Sequence, residues 1–187
     1  MPHDPYRALY IHIPFCASRC IYCDFTTRAV SRDDARMDTY VEDLCLQIRR
    51  LAKEGEFAGL RTIYIGGGTP THLGLGRLTQ LIYTLSLSIN FEQIEEFTVE
   101  ANPESLTETM VRDIWALGVN RLSLGVQSFD DGILTLLGRA HDAAGAITAI
   151  EAAKTRFENI SLDLMCGIPT QTDAIFEVTM ENITSLK

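Results

Sequence analysis

The sequence lacks the features that would place this protein in a membrane or on a nucleic acid. None of its apolar runs approaches the ~20 residues that a helix needs to span a bilayer. Residues 1–7 lack the basic start and apolar core of a signal peptide. The 16 lysines and arginines are outnumbered by 25 aspartates and glutamates, and the resulting net charge of −9 argues against a nucleic-acid-binding surface. These absences favour a cytoplasmic protein that does not bind nucleic acid.

The chain also has no low-complexity segment and no linker rich in proline, serine or glycine. With 187 residues, of which 46% are hydrophobic, it is long enough for one sizeable core and short for two. Five cysteines in a chain without a secretion signal point to metal or redox chemistry before disulfide bonds.

Strand-like and helix-like segments alternate along the sequence. Short apolar runs predict five strands, at residues 8–13, 61–65, 97–101, 121–126 and 160–165. Between them, apolar residues recur at helical spacing, as in Met37, Val41 and Ile48. Thr107 and Asp142 are expected to cap two of these helices, and Gly118 to end one.

Five strand–helix units in succession predict an α/β fold with a parallel sheet covered by helices. A doubly wound sheet and part of a (βα) barrel both fit this pattern. The last helix, from about residue 173 to 186, points to a sixth strand that the chain does not contain, so we expect a truncated domain over 1–187. In such folds the ligand site gathers at the carboxyl ends of the strands.

Three cysteines follow the first predicted strand closely. Cys16, Cys20 and Cys23 form a C-x3-C-x2-C pattern in the loop. Three thiolates can hold three corners of a four-iron cluster and leave the fourth iron open to a small molecule. Two alternatives remain, a zinc site with His12 as fourth ligand and chance clustering of core cysteines. Outside this group, Cys45 is expected to pack in its helix and Cys166 to be a small buried side chain.

The cysteine pattern resembles the signature of the radical S-adenosylmethionine (SAM) enzymes. Further motifs in the same order narrow the resemblance: Tyr10-Ile-His-Ile-Pro-Phe-Cys, Gly66-Gly-Gly-Thr-Pro-Thr71, Glu100-x-Asn-Pro103, Arg121-Leu-Ser-Leu-Gly-Val-Gln-Ser-Phe129, Leu137-Gly-Arg-x-His141 and Asp163-Leu-Met-x-Gly-Ile-Pro169. Together they look like the branch that contains oxygen-independent coproporphyrinogen III oxidase and the heme chaperone HemW.

This resemblance implies a partial (βα)6 barrel, here with about five βα units, that carries a [4Fe–4S] cluster at its mouth. It also implies that SAM binds the open iron through its amino and carboxylate groups. One electron then splits the sulfonium bond of SAM and gives methionine and a 5′-deoxyadenosyl radical. The resemblance assigns the cluster to Cys16, Cys20 and Cys23.

The second strand and the third end in residues that the resemblance assigns to the SAM site. Gly67, Gly68 and Thr69 would line it, since consecutive glycines leave backbone amides and carbonyls bare for an amino acid moiety. A tight strand-to-helix turn is the alternative. Glu100 could accept bonds from two ribose hydroxyls, or it could be a solvated surface acid.

The remaining candidate cofactor-binding residues lie along the first strand, in the cysteine loop and near the last two strands. Arg139 could bind a carboxylate through two hydrogen bonds, or it could be an ordinary surface arginine. Asp163 is a carboxylate within an apolar strand and needs a partner there. Gln127 lies just past the fourth strand. Tyr10 and Tyr22 would pack against the cluster loop or adenine, or serve as plain core aromatics. No residue is assigned a catalytic role.

Two absences place the sequence nearer the heme chaperones than the oxidases. The oxidases carry a further cysteine two residues after the third ligand, where this chain has Phe25, and a long N-terminal extension, where only fifteen residues precede Cys16. We therefore expect a heme chaperone with a radical SAM core that delivers heme to respiratory proteins. The alternatives are an oxidase acting on coproporphyrinogen III in porphyrin biosynthesis and a structural metal-binding domain.

The resemblance further implies certain partners. They are SAM, heme or a porphyrin, an electron donor of the flavodoxin or ferredoxin type and a heme-accepting respiratory protein, and it leaves room for a homodimer. The heme-binding determinants of these chaperones include a C-terminal domain beyond this chain. Whether SAM is cleaved, and so whether the protein is an enzyme, is left open.

Overall fold

The computed structural model describes residues 6–186. Residues 1–5, which belong to the segment predicted to carry no secretion signal, lie outside the described residues, as does residue 187. Within the described part, no helix is both long enough and apolar enough to cross a bilayer.

Five parallel strands form the main sheet, and each corresponds to one that the sequence predicts. They are β1 (Ala8–Ile13), β4 (Thr62–Gly67), β5 (Glu96–Ala101), β6 (Arg121–Gln127) and β7 (Asn159–Leu164). Their spatial order, β1-β4-β5-β6-β7, adds each strand beside its predecessor. A doubly wound sheet would reverse its order midway, so the observed order is that of a partial barrel. The predicted fold class is confirmed, and no sixth strand joins this sheet within residues 6–186.

Helices follow the strands as the periodicity predicts. They are α1 (Arg36–Lys53), α2 (Leu75–Ser88), α3 (Glu108–Ala116), α4 (Asp131–Leu136), α5 (Ala143–Lys154) and α6 (Asp173–Ser185). The predicted caps are confirmed, because Thr107 and Asp142 each accept a backbone N–H three residues on. Gly118 follows α3 with a φ of +98°, the conformation that favours glycine. The sequence did not predict α4, since six residues are too few for a clear helical period.

The two faces of the sheet differ in polarity. On β1, Ile11 and Ile13 are buried in the apolar core with residues of α1 and α2, whereas Tyr10 is exposed and His12 is half-buried. On β4 the buried Ile63 and Ile65 likewise flank a tyrosine whose hydroxyl reaches a carboxylate on β5. Because side chains alternate along a strand, one face fills the core and the other presents polar groups.

The second strand is longer than its sequence predicts. The run 61–65 was expected to stop at the glycines, but Gly66 and Gly67 pair with His12 and Ile13 of β1. A two-stranded sheet, formed by β2 (Phe15–Cys16) and β3 (Arg28–Ala29), also escaped prediction because each strand has only two residues.

Two cysteines lie outside the cysteine loop, and only one lies where the sequence predicts. Cys45 is buried in α1, as expected from its place on the apolar face. Cys166 is exposed in the loop after β7, so the expectation of a small buried side chain is wrong. β7 ends two residues earlier, at Leu164, so Cys166 lies outside the strand.

Candidate functional site

A cavity of about 270 Å³ opens at the carboxyl ends of the strands. All but one of the predicted site residues line it: Cys16, Cys20, Tyr22, Cys23, Gly67, Gly68, Thr69, Glu100, Gln127, Arg139 and Asp163. They come from the ends of β2, β4, β5, β6 and β7 and from the segments just after β2, β4 and α4. Parallel strands bring their carboxyl ends to one edge of the sheet. The sequence therefore predicts the membership of this cavity well.

Tyr10 is the predicted residue that does not line this cavity. Its ring stacks on Tyr64, with 5.9 Å between centroids, and its hydroxyl lies 3.1 Å from Nδ1 of His12. The ring is 56% exposed, so Tyr10 is not a core aromatic either. Its place in the middle of β1 keeps it away from the strand end.

The cysteine loop is held at both of its ends. The β2–β3 pair closes it, and the amide of Val30 donates to the carbonyl of Cys16 at 3.0 Å. Inside the loop, the amide of Cys23 donates to the carbonyl of Cys20, and the Arg19 guanidinium donates to the carbonyl of Cys23. These bonds place three free thiols around one cavity.

The thiols are not packed as a ready-made metal site. Among residues 6–186, no group of three or more histidine, cysteine or carboxylate side chains is arranged to hold a metal ion. The three cysteines are free and half-buried. Burial raises the pKa of the Cys16 thiol, and a hydrogen bond from Thr69 acts in the opposite direction. Thiols that stay free and partly accessible suit a bulky cluster better than a small ion that requires close convergence.

His12, the alternative zinc ligand, is engaged elsewhere. Its Nε2 lies 2.9 Å from the carbonyl oxygen of Thr26, and its Nδ1 lies 3.1 Å from the hydroxyl of Tyr10. Both ring nitrogens therefore have partners, and neither is left for a metal. This arrangement makes His12 a support of the cysteine loop rather than its fourth ligand.

The glycine turn after β4 packs tightly against the cysteine loop. Gly67 has a φ of +114°, and a Cβ there would lie 2.5 Å from the His12 ring. A Cβ on Gly68 would lie 2.7 Å from the carbonyl oxygen of Phe15 and 2.9 Å from Sγ of Cys16. Both positions need glycine, because a side chain at Gly67 would clash with His12 of β1 and one at Gly68 would clash with the cysteine loop.

The structure corrects one part of the glycine prediction. The sequence suggests bare amides, but the N–H of Gly67 donates to Glu100, that of Gly68 to Ile13 and that of Thr69 to Phe15. These amides therefore fix the turn. They are not free to bind a ligand in this arrangement.

The carboxylate of Glu100, at the end of β5, is held in place by hydrogen bonds. It accepts hydrogen bonds from the hydroxyl of Tyr64 at 2.6 Å and from the amide of Gly67 at 2.9 Å. Burial, followed by the bond to this carboxylate, raises the pKa of Tyr64 well above its usual range, so the phenol stays a donor. The alternative of a solvated surface acid does not fit these contacts.

Arg139 reaches the cysteine loop from the far side of the cavity. Its guanidinium donates to Sγ of Cys20 at 3.5 Å and to the carbonyl of Gly125 at 2.6 Å. Burial acts against its charge, but Tyr22, Cys20 and Glu104 outweigh this and raise the pKa of Arg139. Its Nε is buried without a hydrogen-bond partner among the described residues. The guanidinium is therefore fixed in place with one donor unused.

Two further predicted residues are unusual, one in its backbone conformation and the other in its pKa. Gln127 ends β6 instead of following it, and its φ of +67° is unusual for a residue other than glycine. Partial burial raises the pKa of Asp163 despite a hydrogen bond from Ser123. Backbone strain and shifted carboxyls both concentrate at functional sites, which agrees with the cavity being one.

Sequence reasoning missed a buried pair beside the cavity. Nδ1 of His141 lies 3.1 Å from Oε2 of Glu104, and its Nε2 lies 3.2 Å from the carbonyl oxygen of Val126. Burial acts to raise the pKa of Glu104, but hydrogen bonds from His141 and from its own backbone amide keep it below the usual range. The Leu-Gly-Arg-x-His motif contained this histidine, and only the fold shows its partner.

Replacing Glu104 with glutamine should make the free energy of unfolding depend less on pH in the acid range. A carboxyl whose folded pKa is lowered contributes stability above its ordinary pKa of about 4.3 and loses it as pH falls through the folded value. We expect the variant to be about 1–2 kcal/mol less stable than the wild type at pH 5, since a hydrogen bond to a charged group is lost. Urea unfolding from pH 5 to pH 3 should show this difference shrink. A difference that stays constant with pH would contradict the assignment.

Comparison with known proteins identifies the class to which this fold and cavity belong. The sequence model of the radical SAM superfamily matches residues 10–183, so the chain belongs to that superfamily. It is 38% identical over 182 residues to the heme chaperone HemW of Lactococcus lactis, covering 97% of this chain and 46% of that protein. It is 40% identical over 183 residues to HemW of Bacillus subtilis, covering 96% and 48% respectively.

A solved structure gives the same result for the fold. Coproporphyrinogen III oxidase (HemN) from Escherichia coli, a radical SAM enzyme, matches with a TM-score of 0.85 and 30% identity. The match covers 98% of this chain and 42% of the oxidase. The resemblance inferred from the motifs is confirmed. The chain spans about half the length of the curated relatives it matches.

Radical SAM proteins bind a [4Fe–4S] cluster and SAM, and the cavity fits both groups. Three free cysteine thiols face one space, which is the donor set of a cluster with one iron left without a protein ligand. The unused Nε of Arg139 is suited to an anionic group such as the carboxylate of an amino acid. The side-chain-free glycines leave space next to Cys16.

Proposed function

We propose that residues 1–187 are the radical SAM core domain of a heme chaperone. Support comes from the HemW proteins of Lactococcus lactis and Bacillus subtilis, which are 38% and 40% identical over nearly the whole chain, against 30% for the oxidase. Because those relatives are about twice as long, delivery of heme to a respiratory protein is proposed for the complete protein. The free cysteines are in keeping with a reducing compartment, the cytoplasm.

Cys16, Cys20 and Cys23 would hold the cluster as thiolates. A cluster bound there supplies one-electron reduction at an iron that is open to SAM. Glu100 and Arg139 both line the cavity. Glu100 would accept from ribose hydroxyls, and Arg139 would bind the carboxylate of SAM. Gly67, Gly68, Thr69, Gln127 and Asp163 complete the proposed SAM site. Tyr22 contacts Arg139 from the loop, and Tyr10, which stacks on Tyr64, would pack against the cluster loop or the adenine of SAM.

One observation carries the choice between chaperone and oxidase. The oxidases have a further cysteine two residues after the third cluster ligand, and this chain has Phe25 there. Phe25 lines the cavity with 63% of its surface exposed. An apolar ring at this place supplies no thiol chemistry, but it offers a surface to a flat apolar molecule such as heme.

Two measurements on the complete, cluster-loaded protein separate these functions. We expect heme to bind saturably, seen as a Soret band that stops growing during titration. We also expect no vinyl-group formation from coproporphyrinogen III under anaerobic conditions with SAM and a reductant. Conversion of propionates to vinyl groups would establish the oxidase instead. The electron donor of the flavodoxin or ferredoxin type, the heme acceptor and a homodimer are proposed as partners of the complete protein.

A further inference from the structure

A chain of side-chain hydrogen bonds connects two of the three cysteines across the cavity wall. Arg139 donates to Sγ of Cys20 at 3.5 Å and to Oδ1 of Asn102 at 2.8 Å. Nδ2 of Asn102 donates to Oγ1 of Thr69 at 3.0 Å, and that hydroxyl donates to Sγ of Cys16 at 3.6 Å. The centre of this chain is Asn102, which the sequence shows only as part of the Glu-x-Asn-Pro motif.

The chemistry of the groups fixes which partner donates and which accepts in each of these hydrogen bonds. A guanidinium has only donors, so it must meet the oxygen of the Asn102 amide. The amide NH₂ group then faces Thr69 and donates to its oxygen. The hydroxyl of Thr69 therefore keeps its own hydrogen for the sulfur of Cys16. An amide is the side chain that can accept on one side and donate on the other at this length.

Packing holds the three members in place. Thr69 is 3% exposed, so its hydroxyl has little access to water as another partner. Gly125 lies against Asn102, and a Cβ there would come within 2.7 Å of Oδ1 of Asn102 and 3.4 Å of Arg139. The carbonyl of Gly125 also accepts from Arg139 at 2.6 Å. Because Gly125 has no side chain, it leaves space for the hydrogen bonds that hold Asn102 and Arg139 in place.

We propose that Asn102 is a positioning residue that aims Thr69 and Arg139 at the sulfurs of Cys16 and Cys20 and thereby raises the reduction potential of the cluster. This inference rests on the proposed function, since it needs a cluster on these cysteines. Reduction adds negative charge to a cluster, and hydrogen bonds to its sulfur ligands stabilise that charge. Loss of these donors lowers the potential.

The test compares Asn102→Asp with Thr69→Val and with the double variant. An aspartate still accepts from Arg139, but it cannot donate to Thr69, whose hydroxyl would turn from Cys16 to the new carboxylate. Each single change should lower the ratio of reduced to oxidised cluster at least tenfold at a fixed potential, which is a shift of about 59 mV for one electron. In the Thr69→Val background, Asn102→Asp should shift the potential by less than half as much. Redox titration followed by EPR measures all four proteins.

Asn120→Asp provides the matched control. Its amide also joins two segments, accepting from the amide of Phe97 at 2.8 Å and donating to the carbonyl of Glu95 at 3.2 Å. It precedes β6, at the opposite end of the sheet from the cavity. The same charge placed there should leave the potential unchanged. An equal shift in Asn120→Asp, or an equal shift of Asn102→Asp in both Thr69 backgrounds, would overturn the proposal.

Iron analysis separates failure of this inference from failure of the proposed function. If the wild type takes up no cluster, the proposed function fails. If the wild type and Thr69→Val hold a cluster but Asn102→Asp and the uncharged Asn102→Leu both lose it, Asn102 serves cluster assembly. That result would overturn a role in setting the potential.

Discussion

Replacing Cys20 with alanine is expected to lower the iron content of the anaerobically reconstituted protein from about four atoms per chain to near zero. The change removes one of three thiolates from a cluster that has no fourth protein ligand. Cys20 also accepts a hydrogen bond from Arg139, so its loss leaves a half-buried guanidinium with one partner fewer. Iron and sulfide analysis, together with the brown absorbance of the sample, measures the effect.

Cys166→Ser is the matched control for this change. Cys166 is a free thiol in an exposed loop and does not line the cavity. Its replacement should leave the iron content at the wild-type value. A cluster with unchanged absorbance in the Cys20 variant would show that the ligand assignment is wrong.

Replacing Gly67 with alanine is expected to destabilise the fold by about 3 kcal/mol and to abolish SAM binding. The backbone there has a φ of +114°, and a side chain in left-handed space costs roughly 1–2 kcal/mol. The new Cβ would also lie 2.5 Å from the His12 ring, and overpacking of this kind costs about 1–3 kcal/mol. Relief of the clash would move the His12 ring or the glycine turn, and the glycine turn lines the cavity proposed to bind SAM.

Gly55→Ala separates the backbone cost from the clash. Gly55 has a φ of +81°, and nothing lies within 4 Å of the position of its Cβ. We expect a loss of about 1 kcal/mol from the backbone alone and no change in SAM affinity. Urea unfolding and equilibrium binding of SAM measure both variants. Equal losses of stability in the two would contradict the contact between Gly67 and His12.

The strands and the membership of the cavity could be predicted because both are encoded locally. Each strand is a short apolar run, and most of the candidate residues lie at the end of a run or just after it, so the parallel sheet brings them together. Tyr10 is the predicted site residue that does not line the cavity, because it lies within β1 and not at the end of the strand. Four residues of β1 rise about 3.3 Å each, which carries Tyr10 away from the mouth.

The contacts inside the site could not be predicted in the same way. Arg139 reaches Cys20 across 119 residues of sequence, and only the order of the strands sets that distance. The partners of the glycine-turn amides depend on how closely β4 approaches β1 and β5. Asn102 was visible as a polar residue at a strand end, but its two-sided role needs Thr69 and Arg139 in place.

The most direct test of the account is the EPR spectrum of the anaerobically purified, reduced protein with and without SAM. A [4Fe–4S] cluster on three cysteines, with an iron open to SAM, predicts an iron-dependent signal whose shape changes when SAM is added. A protein that contains zinc in place of iron, or a cluster signal that saturating SAM leaves unaltered, would contradict it.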